Sequence, residues 1–196
     1  MSAFEFVFSL FGLLLGFSLV QVLGGLARVI EAALGARHAG AKAGAGDFRA
    51  GWLTPLFGIF VMLDILSFWI SAWLLRDQLQ VTGATMIGGL LFASAYYLAA
   101  HLVIPDDPGG QGDLDAHYFR VRRVVLGPLI ALALIQIGYF MAALPGMAAY
   151  LTSPRVGISV LLLFGLMIAA MLVRSRLANA LLLVALSLRY LIEVLL

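Results

Sequence analysis

The sequence predicts an all-α fold, a polytopic membrane helical bundle of six transmembrane helices with both termini on the periplasmic side. Three observations predict it. The 196 residues are 63% hydrophobic with a mean hydropathy of +1.08, too apolar for a water-soluble globule. The apolar residues gather in six runs, each near the roughly 20 residues a helix needs to cross about 30 Å of hydrocarbon. The basic residues sit on alternate connections. Within lipid a helix satisfies its own backbone donors and acceptors, so each run reads as a helix.

Span one covers 6–30. No basic segment precedes Phe6, the apolar run continues past Val20, and no small-residue cleavage pattern follows closely, so it reads as a retained span rather than a signal peptide. The stretch from His38 to Gly51 is rich in Gly and Ala and reads as a mobile connection. Span two covers 52–75, with Thr54-Pro55 in the first turn, where a proline's missing N–H costs nothing. Span three covers 83–104 and ends at Pro105, and 106–112 reads as an acidic, turn-rich loop. Span four covers 121–144, is closed by Pro145, and contains Pro128, which is expected to bend it. Span five, 155–173, follows Pro154 and is the shortest; span six covers 177–196. Connections this short predict one transmembrane domain over 1–196.

The connections one–two, three–four and five–six, with adjoining helix ends, hold Arg28, Arg37, Lys42, Arg49, Arg120, Arg122, Arg123, Arg174 and Arg176. The opposite side holds Arg76 and Arg155, and Arg189 lies inside span six. By the positive-inside rule this predicts a multi-pass protein of the bacterial inner (plasma) membrane with outward termini. It also accounts for the net charge of +2 as a topology signal, so no nucleic-acid partner is expected.

Ionisable side chains inside a bilayer turn toward the bundle interior and find partners. Asp64 lies twelve residues past Trp52 and Arg189 twelve past Leu177, so both sit about 18 Å along parallel spans. Gln136 falls at a similar level in span four. Asp64, Ser67 and Ser71 follow i, i+3, i+7 and share one face. The group reads either as a structural ion pair between spans two and six, or as a transport lane in which Asp64 holds a cation or proton and Arg189 tunes it. Glu193, one turn from Arg189, competes with Asp64 as its partner, as does Glu5.

An inner polar lane is expected from Ser18, Gln21, Gly25 and Arg28 on span one and Ser94, Tyr97 and His101 on span three. It reads as interhelical hydrogen bonding before it reads as a hydrated path. Gly12 with Gly16, and Gly24 with Gly25, read as helix-packing positions, within the monomer or between protomers; Gly165 with Ala169 repeats the spacing. Trp52, Trp69 and Trp73 read as interface anchors.

No cofactor is expected. With no Cys, thiolate chemistry and cysteine-ligated metals are excluded. Transmembrane haem needs two histidines at one depth, and of His38, His101 and His117 only His101 falls within a span. Lys42 is the sole lysine, so no span can carry a retinal Schiff base. Asp113-Leu114-Asp115-Ala116-His117 alternates oxygen and nitrogen donors, but lacks the remainder of a calcium loop; its acids complement a helix N-terminus. No catalytic arrangement at one depth points to an enzyme.

The stretch Phe4-Glu5-Phe6 through Gly16-Phe17-Ser18, then Leu23-Gly24-Gly25-Leu26-Ala27-Arg28, resembles the first helix of small uncharacterised bacterial six-span inner-membrane proteins. His117-Tyr118-Phe119 with Arg122-Arg123 is similar too. That group brings no activity to carry over. The six-span format is also similar to the bacterial relatives of the lysosomal potassium channel, whose first helix carries an Arg and then Phe-Ser-Asp. Here Leu10 follows Phe8-Ser9 with no Arg before it, so the likeness is one of format. The expected function is a channel or transporter for an ion or small solute along the lane near Asp64, in a homo-oligomer. The alternative is a non-catalytic subunit or assembly partner of a larger membrane complex.

Overall fold

The computed structural model describes residues 3–39, 51–74, 76–77, 81–144 and 146–195. Their regular elements are all helices: α1 (Ala3–Ala39), α2 (Leu53–Leu74), α3 (Gly83–Val103), a 3-10 turn (Gly109–Gln111), α4 (Leu114–Ala143), α5 (Met147–Leu151), α6 (Pro154–Leu172) and α7 (Arg176–Leu195). Most of the expected His38 to Gly51 connection, and Pro145, lie outside the described residues.

Five of these helices are long and apolar enough to cross a membrane: Val7–Ala36, Leu53–Trp73, Gly83–Val103, Leu114–Ala142 and Pro154–Leu172. The chain is a membrane protein of apolar helices. α7, which bears Arg176, Arg189 and Glu193, is not one of the five.

The helix boundaries follow local chemistry. Thr82 and Thr85 form a reciprocal capping box at the start of α3, and the helix stops before Pro105. Pro154 occupies the first turn of α6. Two helices extend past the expected membrane spans. α1 runs to Ala39, past the end of span one at residue 30, because Glu31-Ala-Ala-Leu-Gly-Ala-Arg retains helix-forming residues. α4 begins at Leu114, ahead of span four at 121 and where the acids were expected to complement a helix N-terminus: the Asp113 side chain accepts from the amides of Asp115 and Ala116. Hydropathy marks where a helix enters oil; capping marks where it begins. α5 had no expectation. Gly146, at φ 78°, takes the left-handed conformation that turns the chain after α4 into it.

α2 is the central helix, packed against α1, α3, α4 and α7. Phe57, Phe60 and Val61 are fully buried at its middle. The Phe57 ring stands edge-on to Tyr118 of α4 at 5.2 Å, and Phe60 lies 6.0 Å from Tyr190 of α7. α1 runs beside α3, burying Leu15, Val22 and Val29. Its opposite face exposes Leu13, Phe17, Val20, Leu23 and Ile30, an outward apolar surface that suits acyl chains.

Candidate functional site

A cleft of about 450 Å³ opens at the end of the bundle that holds α5 and the C-terminal turns of α7. One face of α2 supplies Asp64, Ser67, Phe68 and Ser71, in the i, i+3, i+4, i+7 positions that share a helix stripe. α4 adds Gln136 and Phe140, α3 adds Tyr96, and α7 adds Arg189, Tyr190 and Glu193. α5 covers the rim with Met147, Tyr150 and Leu151. Asp64, Arg189 and Gln136, expected at one level, thus line one cleft with Ser67, Ser71 and Glu193.

Asp64 is buried at the cleft floor, 8% exposed. The Tyr190 hydroxyl donates to its Oδ1, and Tyr96 lines the same cleft. Arg189 turns elsewhere. Its Nη2 donates to Glu193 Oε1 at 2.8 Å, and its Nε to the Ser159 carbonyl at 3.0 Å and hydroxyl at 3.1 Å. Ser159 in turn donates to Glu193, which closes a small network between α6 and α7. Of the three partners weighed for Arg189, Asp64, Glu193 and Glu5, the one on its own helix forms the ion pair, because i, i+4 spacing holds it in reach without regard to how α2 is rotated. Asp64 is held by Tyr190 instead. Ser71 donates back to the Ser67 carbonyl at 2.8 Å. Below Asp64 the interior closes on Phe60, Phe57 and Tyr118, all fully buried.

The residues of the inner lane separate. Gln21 Nε2 meets His101 Nδ1 at 2.9 Å and ties α1 to α3. Ser18 is fully buried and donates to the Leu14 carbonyl. Arg28 lies 3.9 Å from Asp106. Ser94 and Tyr97 lie on an exposed flank of α3, so these groups bound no enclosed path among the described residues. The glycines separate as well. A Cβ at Gly25 would stand 2.9 Å from the Ile104 Cβ, and one at Gly12 would strike the Trp69 ring, whereas Gly16 faces open space and Gly24 meets only the Arg28 tip.

A second polar cluster, at the opposite end, was not anticipated. Arg122 is 4% exposed. Its Nη1 donates to the Ala170 carbonyl at 2.7 Å, to the Val173 carbonyl, and to Asn179 Oδ1 at 3.2 Å, closing the C-terminus of α6. The Tyr118 hydroxyl donates to the same Asn179 oxygen at 2.8 Å. Asn179 alone in an apolar run was the available signal; Arg122 was counted only as a topology charge. Beside it, Arg176 binds Asp113 at 2.7 Å, and Asp115 Oδ1 accepts from the Leu53 amide at 3.0 Å, so α4 caps α2.

Partial burial pushes the Asp113 carboxyl up, but the Arg176 guanidinium and the amides of Asp115 and Ala116 outweigh it and hold Asp113 below its ordinary value of 3.8. A lowered carboxyl stabilises the fold above its unfolded value, and that contribution is lost as pH falls through the native one. Acidification from about pH 5 to about pH 3 is therefore expected to lower the thermal midpoint more in wild type than in Asp113→Asn. Equal acid losses would remove the role assigned to Asp113.

No protein family, no curated protein and no solved structure matches this chain.

Proposed function

We propose that the chain is a six-span inner-membrane transporter whose cleft opens to the periplasm and takes a small solute or ion carrying positive charge. In this reading α7 is the sixth span, and the excess of basic residues around the opposite end keeps that end cytoplasmic. The observation that carries the proposal is Asp64: a carboxylate at the floor of a roomy cleft, with the Tyr190 hydroxyl on it and Tyr96 lining the same cleft. Ionised, Asp64 and Glu193 outnumber Arg189, so the cleft favours cations. Polar groups at such depth are costly in lipid, which makes a purely packing role for all of them uneconomical. The closed aromatic floor favours alternating access over an open pore.

Proteoliposomes containing the purified protein provide the test, with Na⁺, K⁺ and methylammonium as solutes. Wild type is expected to move at least one of them, and Asp64→Asn to lose that flux while keeping its thermal midpoint. Equal flux in wild type and Asp64→Asn would sink the proposal.

One observation favours the subunit reading. Gly16 and Gly24 of α1 leave room where nothing among the described residues packs closely, which suits a second helix, from another copy or another protein. Absence of flux for all three solutes, with a partner co-purifying in fixed ratio from native membranes, would support that reading instead.

A further inference from the structure

A second chamber, of about 340 Å³, lies beside the polar cleft. Phe8 and Phe11 of α1, Phe68 of α2 and Phe92 of α3 give it an aromatic and hydrocarbon lining. Gly88 has open space where a side chain would stand, so the helix surface there is hollow. Phe68, Gln136 and Phe140 line both chambers and form their common wall. Ile135 and Tyr139 of α4 line the second chamber and are exposed, which brings it out on the flank of the bundle.

The polar cleft carries an unmet demand. The Arg189 side chain is 9% exposed, and its Nη1 has no hydrogen-bond partner among the described residues. A buried guanidinium N–H is costly unless an acceptor reaches it, and an anionic oxygen is the strongest acceptor available. Asp64, in the same cleft, is suited to an ammonium. A head bearing both charges satisfies both groups. Hydrocarbon attached to that head has an apolar chamber beside it.

We propose that the two chambers form one site for a single-chain zwitterionic amphiphile. The ammonium lies toward Asp64, the anionic oxygen toward Arg189 Nη1, and the chain passes the Phe68–Gln136–Phe140 wall into the apolar chamber. This assignment rests on the reading of the polar cleft as a solute site and names the class of solute.

The test is native mass spectrometry of the protein in maltoside micelles, titrated with lysophosphatidylethanolamine. Glycerophosphoethanolamine, the head alone, and a fatty alcohol of equal length, the chain alone, are titrated in parallel. Wild type is expected to hold one lysolipid per chain, at least about tenfold more tightly than either fragment. Gly88→Leu fills the hollow and is expected to weaken lysolipid binding about tenfold. Ala84→Leu, on the same helix and lining the same chamber, obstructs it independently should Gly88→Leu fail to fold. The inference is overturned if wild type holds the head alone as tightly as the lysolipid, or if both folded variants bind lysolipid as wild type does. It is also overturned if wild type binds no lysolipid while the small-cation flux persists, an outcome that leaves the solute site standing. Loss of both binding and flux in wild type would remove the two readings together.

Discussion

Arg122→Ala is expected to destabilise the protein by about 3 kcal/mol, the scale for removing one partner from a buried charged network. The substitution leaves the Ala170 carbonyl without its side-chain donor at the closed end of α6, and takes one donor each from the Val173 carbonyl and Asn179 Oδ1, which keep Asn179 Nδ2 and the Tyr118 hydroxyl. It also removes the guanidinium that lies 4.7 Å from the Phe119 ring centre. Arg122→Lys is expected to recover less than half of the loss, because an ammonium cannot lie flat on Phe119 while its N–H groups reach three acceptors on two elements. Unfolding by SDS titration in mixed micelles reads the difference. A change within about 0.5 kcal/mol for Arg122→Ala, the range of an ordinary surface substitution, would mean that the C-terminus of α6 does not depend on this side chain.

The second large effect separates glycines that look alike in sequence. Gly25→Leu is expected to cost about 3 kcal/mol, because its first added carbon already crowds the Ile104 Cβ, an atom that cannot swing aside. A Cβ at Gly16 meets no atom of the described residues, and Gly16→Leu is expected to leave monomer unfolding unchanged. If Gly16→Leu instead changes the oligomeric state while Gly25→Leu changes only stability, the open positions of α1 belong to an interface between chains. Equal destabilisation by both would contradict the packing of α1 on α3.

The same contrast explains what could be read in advance. The grouping of Asp64, Ser67, Ser71 and Gln136 followed from helical periodicity and depth, since rise per residue and the thickness of hydrocarbon are the same for every span. Arg189 fell at that level for the same reason, with Glu193 one turn beyond it. Rotation of each helix about its axis was not legible, because a helix apolar all round has no face that water selects. Rotation decides that Tyr190 reaches Asp64 while Tyr96 faces the same cleft, that Ser159 joins Arg189, and that Tyr97 is exposed. Tyrosines in apolar runs read equally well as interface residues. Arg122 shows the complementary failure: basic residues near helix ends signal topology so strongly that a buried capping role is hidden among them.

Composition alone made this an apolar helical membrane protein, and proline, threonine and aspartate at the helix ends set most boundaries, because lipid and the peptide backbone leave few alternatives. The tertiary structure alone decided which glycines are crowded, where Arg189 and Arg122 spend their hydrogen bonds, and that a polar cleft and an apolar chamber share a wall. Those outcomes depend on how neighbouring helices are turned toward one another, and in a solvent as apolar as the helices themselves that choice is made by side-chain packing and hydrogen bonds across the bundle.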